Sequence, residues 1–84
     1  MTMRFIPESD GSLSAVIFDY IHDGWRYDEA YFCDVFKALG GYAVRWNSDY
    51  AHPEHFATEI EAKKHVETNY RNRNFHSNGR KYEL

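Results

Sequence analysis

Cysteine occurs once in this chain of 84 residues, at Cys33, so no disulfide can form within it. A lone cysteine fits a reducing compartment. Set among Tyr31, Phe32, Val35 and Phe36, it reads as a buried structural thiol rather than a reactive one. Long apolar runs are missing as well. The longest, Ala15-Val16-Ile17-Phe18, falls far short of the ~20 residues of a membrane helix. The start, Met-Thr-Met-Arg-Phe-Ile-Pro-Glu, has no apolar stretch ahead of a small-residue cleavage site. A cytoplasmic protein without membrane contact is expected. Pro and Gly are few, two and five, and there is no linker, repeat or low-complexity tract.

Chemical motifs are equally scarce. There is no G-x-x-x-x-G-K, no G-x-G-x-x-G and no H-E-x-x-H. Ser9, Ser12, Ser48 and Ser77 fall in predicted turns, and none sits in a G-x-S-x-G elbow. His52 and His55 form an H-x-x-H pair with Glu54 between them and Glu59 nearby. Zinc accepts such ligands, but Pro53 interrupts the pair, and a third imidazole would have to come from a distant residue such as His65 or His76. Solvated loop histidines are the plainer reading. The expectation is no enzyme activity, no metal and no cofactor.

Aromatic residues are what the chain has in quantity: six Phe, seven Tyr and two Trp. A single domain of this size, residues 1–84, buries little more than about 60% of its unfolded surface. It cannot hide all those rings in one core. Some are expected to face a partner, since Tyr and Trp combine a large apolar body with a polar tip. The chain is expected to be a monomer or a homodimer.

Charge is divided along the sequence. Glu8, Asp10, Asp19, Asp23, Asp28, Glu29 and Asp34 are set against Arg26 alone. Lys63, Lys64, Arg71, Arg73, Arg80 and Lys81 are set against Glu67 alone. Either the fold keeps an acidic and a basic face apart, or the two sets neutralise each other across one surface.

Asp10-Gly11 lies between two apolar runs and predicts a hairpin. The second strand spans 13–21 and ends at His22-Asp23-Gly24. Tyr27, Tyr31, Val35 and Leu39 recur every fourth residue, which predicts a helix over 27–39. Asp28 and Glu29 would sit in its first turn, and Gly40-Gly41 would cap its C-terminus. Residues 42–46 alternate as a strand, and 54–57 pair back. Thr58-Glu59-Ile60-Glu61 is a capping box opening a second helix to about Tyr70, with Ala62, Val66 and Tyr70 inward. Residues 71–84 read either as a mobile tail or as a terminal hairpin turned at Asn78-Gly79. The fold class expected is α+β: an antiparallel sheet of three to five strands packed by two helices, in the order ββαββα.

Two surfaces stand out. In the acidic segment, Asp19, Asp23, Asp28 and Glu29 are interleaved with Tyr20, Trp25, Tyr27 and Tyr31, and interfaces draw much of their energy from a few Trp, Tyr and Arg residues. This is the expected partner-binding surface. The alternative is nucleic-acid contact through Lys63, Lys64, Arg71, Arg73, Phe75, Arg80 and Lys81, which mixes bases with rings able to stack. In general character the chain resembles small phage-encoded inhibitors of host defence, of the anti-CRISPR type. Those are short, cysteine-poor, non-catalytic and rich in exposed aromatics and acids, and residues 19–31 fit that character best. The resemblance implies a non-catalytic module that masks a nucleic-acid-binding surface, its partner being a host protein or protein–nucleic-acid complex.

The capping box carries a direct test. Thr58→Ala is expected to cost about 1 kcal/mol by removing the acceptor for the third helical amide. Urea denaturation of the two proteins measures it. An unchanged midpoint would mean that the helix starts elsewhere.

Overall fold

Turn chemistry organises the first half of the chain. The computed structural model describes residues 2–84. β1 (Met3–Pro7) and β2 (Leu13–His22) form the hairpin expected from Asp10-Gly11, with Met3 opposite Ile17 and Pro7 opposite Leu13. Gly11 takes a φ of +88°, and Asp10 Oδ1 accepts from the Ser12 amide (2.9 Å) and hydroxyl (2.6 Å). A second Asp-Gly turn follows. Asp23 and Gly24 have φ of +49° and +79°, the signs of a type I′ turn. It folds β3 (Trp25–Ala38) straight back on β2, with His22 opposite Trp25.

β3 replaces the helix expected over 27–39. A four-residue repeat is compatible with a helix, but four is also an even number, so Tyr27, Tyr31 and Val35 equally suit the two-residue period of a strand. Aromatic and β-branched residues favour the strand. Gly40-Gly41 is accordingly not a helix cap. Leu39-Gly40 is a two-residue turn, with Gly40 at φ +82°, and Gly41 opens β4 (Gly41–Trp46). β5 (Glu54–Phe56) pairs with β4 as expected.

The only α-helix among the described residues is α1 (Glu59–Asn69), continued by a 3-10 turn at Tyr70–Asn72. Thr58 caps it, accepting from the Glu61 amide at 3.2 Å, and Ala62, Val66 and Tyr70 are buried beneath it. Residues 74–84 form no hairpin of their own. β6 (His76–Glu83) runs antiparallel to β3, and Asn78-Gly79 is a bulge within it rather than a turn. Gly79 has φ +80°, and Asp28 Oδ2 accepts from the Arg80 amide at 2.9 Å.

The architecture is therefore mostly an antiparallel sheet, β1-β2-β3-β4-β5 in sequence order with β6 added on β3, and a single helix on one face. It is not the two-helix ββαββα arrangement. One edge of β3 is shared. Trp25 to Tyr31 pair with β6 and Cys33 to Ala38 with β4. At the hand-over, Asn47 donates its backbone N–H to the Phe32 carbonyl (3.1 Å) and its side-chain amide to the Tyr31 carbonyl (2.7 Å).

The core lies between the sheet and α1. Phe32, Trp46, Ile17, Val35, Val44 and Val66 are fully buried. Phe32 is an extra residue in β3 opposite Ala15 and Val16, so both it and Cys33 turn inward. Its burial contributes roughly 1.5–3 kcal/mol. Tyr20, Phe32, Tyr70 and Phe75 meet edge-on or tilted, with ring centroids 5.2–6.3 Å apart. Burial also pushes the Cys33 thiol far above its ordinary pKa, as suits a structural cysteine.

The approach of β5 to β4 gives the sharpest test of this topology. A Cβ on Gly41 would stand 2.2 Å from the Phe56 carbonyl oxygen, a backbone atom with nowhere to move. Gly41→Ala should destabilise by about 2–3 kcal/mol, as overpacking does. The denaturation midpoint measures this, and a loss below that of Thr58→Ala would contradict the register of β5.

Candidate functional site

The β2–β3 hairpin, with β6 beside it, forms a three-stranded wing that meets Tyr70 and Phe75 on one face, in a molecule 44 × 25 × 22 Å. Its shape depends on Asp19. That residue has φ +55°, a left-handed conformation that Asp tolerates better than most residues. It breaks the alternation of β2. Ile17 and Tyr20 both face the core, while Phe18 and Ile21 are exposed. Ile21 is opposite Arg26, and Arg26 is opposite Tyr82. Directly opposed residues share a face, so Ile21, Arg26 and Tyr82 form one row. Ile21 is 50% exposed and Tyr82 43%. Arg26 lies 5.9 Å from the Tyr82 ring and pairs with Asp19 at 3.0 Å.

The residues expected at the partner surface are divided by this geometry. Asp19 and Asp23 are exposed at the end of the wing, Asp23 beside His22 at 3.3 Å. Asp28 is half-buried and engaged by the Arg80 amide. Glu29 accepts from the Tyr31 hydroxyl at 2.7 Å, a bond that pushes the Tyr31 pKa above its ordinary value. Trp25 is half-buried, with Lys81 Nζ 4.7 Å from its ring. Tyr27 packs edge-on against Phe75 at 4.9 Å. Tyr20 is 5% exposed and belongs to the core. Phe18, Ile21 and Tyr82 were not singled out by sequence reasoning. The signal for the first two was an Asp at a strand centre, a residue that tolerates the left-handed conformation and so can reverse which side chains face out.

The basic residues are also scattered. Lys63 pairs with Glu59 at 3.9 Å and lies 5.4 Å from the Phe5 ring. Arg71 donates to Tyr70 Oη at 3.2 Å. Arg80 and Lys81 stand on β6, next to the acids of β3, and Lys64 is exposed on α1. The acidic and basic segments thus meet along the β3–β6 ladder. Phe75 is enclosed by Tyr20, Tyr27 and Phe32.

Arg73 belongs to a cluster that sequence reasoning did not foresee. Glu54 Oε1 accepts from Trp46 Nε1 at 2.5 Å, and lies 3.0 Å from His65 Nε2 and 3.6 Å from Arg73. Arg73 also covers the Trp46 ring at 4.5 Å. One carboxylate therefore joins β4, β5, α1 and the segment before β6. His52 is instead bonded to Asp49 at 2.8 Å, and His55 is exposed on β5. Among the described residues, no three His, Cys, Asp or Glu side chains are grouped to hold a metal. No helix is long and apolar enough to cross a membrane. No protein family, curated protein or solved structure matches the chain.

The Glu54 cluster predicts an acid limb. Burial acts to raise the Glu54 pKa, but the hydrogen bonds from Trp46 and His65, with the charges of His65 and Arg73, outweigh it and hold the carboxyl below its ordinary value. Its stabilisation is fully present above the unfolded pKa of about 4.3 and is lost as pH falls through the lower folded value. Glu54→Gln should therefore lower the denaturation midpoint at neutral pH, and the gap from the parent should shrink on acidification. A gap that stays constant with pH would show that the charge is not what holds the cluster.

Proposed function

We propose that this chain is a non-catalytic binding module that works through the end of the β2–β3–β6 wing. Its partner in this reading is a basic surface on a host protein or protein–nucleic-acid complex, which it masks from nucleic acid. The observation that carries the reading is the pairing at one site of exposed apolar side chains, Ile21 and Tyr82, with exposed carboxylates, Asp19 and Asp23. Apolar anchors beside charge are the composition of a protein interface. Asp28 and Glu29 are occupied by hydrogen bonds within the protein. Asp19 and Asp23 are left as the exposed acids, Asp19 paired with Arg26, and Trp25, opposite His22 on the other face of β3, is the aromatic anchor at the same turn. A small inhibitor of host defence, phage-encoded and of the anti-CRISPR type, acting in the bacterial cytoplasm, accords with this surface and with the chain's size and single cysteine.

The test is capture of a partner from bacterial lysate, followed by binding kinetics on folded variants. Asp19→Asn with Asp23→Asn should slow association and flatten its salt dependence, because complementary charge acts mainly on encounter. Trp25→Ala should raise the dissociation rate, at a cost of about 2 kcal/mol. Unchanged rates for the charge variants at low salt would sink the masking model. Salt-sensitive retardation of nucleic acid, abolished by changing Lys64, Arg71, Arg80 and Lys81, would move the working surface to the bases instead.

A further inference from the structure

At the other end of β3 from the wing, a cavity of about 420 Å³ opens on the sheet. Its lining includes Asp10 from the first turn, Asp34, Phe36 and Lys37 from β3, Arg45 from β4, and Tyr50 from the loop beyond. Arg45 dominates it. The guanidinium carbon lies 4.7 Å from the Phe36 ring centroid and 4.7 Å from that of Tyr50. Both rings therefore lie close to the guanidinium. Nε is buried and without a hydrogen-bond partner. Among the described residues, no carboxylate comes within ion-pair distance of this cation.

That arrangement restricts what can bind. With two rings already packed against it, the guanidinium presents to a ligand chiefly its rigid fork of in-plane N–H donors. Such a fork matches the two coplanar oxygens of a carboxylate. A flat base stacking on Arg45 would compete with these rings. Lys37, opposite Tyr42 and so on the other face of β3, reaches the cavity only at its rim, where it is exposed. Asp34 lies directly opposite Arg45 in the β3–β4 ladder, so the two side chains share a face. The carboxylate of Asp10 is already engaged by Ser12, which leaves Asp34 as the acceptor facing a ligand. Two acids and two bases make the lining neutral. A phosphate dianion would meet the repulsion of both carboxylates, whereas a group pairing an anion with a nearby N–H donor would satisfy both ends.

We infer that this cavity binds an α-carboxylate with its neighbouring N–H group, Arg45 taking the carboxylate and Asp34 the N–H. Two sources share this chemistry, a free amino acid and the C-terminus of a peptide. The inference is independent of the wing, which lies at the opposite end of the strand.

Amide and arginine side-chain NMR spectra of the full chain provide the test. The probes are alanine, N-acetyl-glycyl-alanine, the C-terminal amide of that dipeptide, and inorganic phosphate. Alanine or the dipeptide acid should produce saturable shifts at Lys37, Arg45 and Tyr50, and the tighter of the two identifies the source. The amide form should bind at least tenfold more weakly than the acid, and phosphate should not compete. Arg45→Lys keeps the charge but loses the fork, and should weaken binding at least tenfold. Should that variant fail to fold, Tyr50→Ala changes an exposed residue and should weaken binding by removing one of the two rings packed against Arg45. Absence of saturable shifts at Arg45 with either carboxylate, equal binding of acid and amide, or displacement by phosphate would overturn the inference.

Discussion

The fold rests on one strand sharing an edge between two partners. β3 is 14 residues long, and β2 pairs with it along almost its whole length. Its other edge is divided between β6 and β4, and the division falls at Phe32. A backbone carbonyl at such a junction belongs to neither ladder and would be costly to bury unpaired. Asn47 meets that need. As the first residue beyond β4, its amide continues the ladder to Phe32, and its side chain supplies the bond to Tyr31 that β6 does not. The bulge at the same point turns Phe32 inward, against Tyr20, Tyr70 and Phe75. The backbone irregularity and the centre of the aromatic core are thus one feature. Without the division, β6 and β4 would compete for the same edge.

The helix is held at two separate places by different physics. Its outgoing end is fixed by rings, through Tyr70 against Tyr20 and Phe32. Its middle is tied by charge and hydrogen bonding, through His65 to Glu54 and from Glu54 to Trp46 and Arg73. Trp46 is fully buried, yet its indole N–H needs a partner. Glu54 is placed to provide one because β5 pairs with β4 in a register that sets Glu54 opposite Val44, two residues before Trp46. The short β5 strand and the close approach at Gly41 therefore serve the core as well as the sheet edge.

Much of this was legible where a local signal has one meaning. Asp10-Gly11 gave its hairpin, and Thr58-Glu59-Ile60-Glu61 gave its helix start. The reading failed where a signal has two. Asp23-Gly24 carries the same turn chemistry as Asp10-Gly11, but the four-residue repeat after it suggested a helix, and the hairpin was passed over. A spacing of four cannot separate the two periods; the run of Tyr, Phe, Cys and Val should have decided for strand. Asn78-Gly79 erred in the opposite direction. Gly79 does take a left-handed conformation, but a bulge uses it as readily as a turn. The Glu54 cluster had no local signal, because Trp46, Glu54, His65 and Arg73 are separated in sequence and meet only through the fold.

The same long-range pairing changes how the charge pattern acts. Along the sequence the acids and bases form two blocks. The β3–β6 ladder sets Arg80 and Lys81 beside Trp25, Tyr27 and Asp28, where Asp28 takes the Arg80 backbone amide and Lys81 lies over the Trp25 ring, and among the described residues no ion pair joins the two blocks. The exposed pair of Arg26 and Asp19 neutralises part of the acidic block, and such surface pairs contribute little to stability. What survives is local. Asp23 projects from the type I′ turn at the end of the wing, with its side chain 87% exposed. The apolar row of Ile21 and Tyr82 lies behind it, uncovered because the left-handed Asp19 reversed the alternation of β2. Two departures from regular strand geometry, at Asp19 and at Asp23-Gly24, therefore create the surface, and the first also turns Tyr20 inward onto Phe32 and Tyr70.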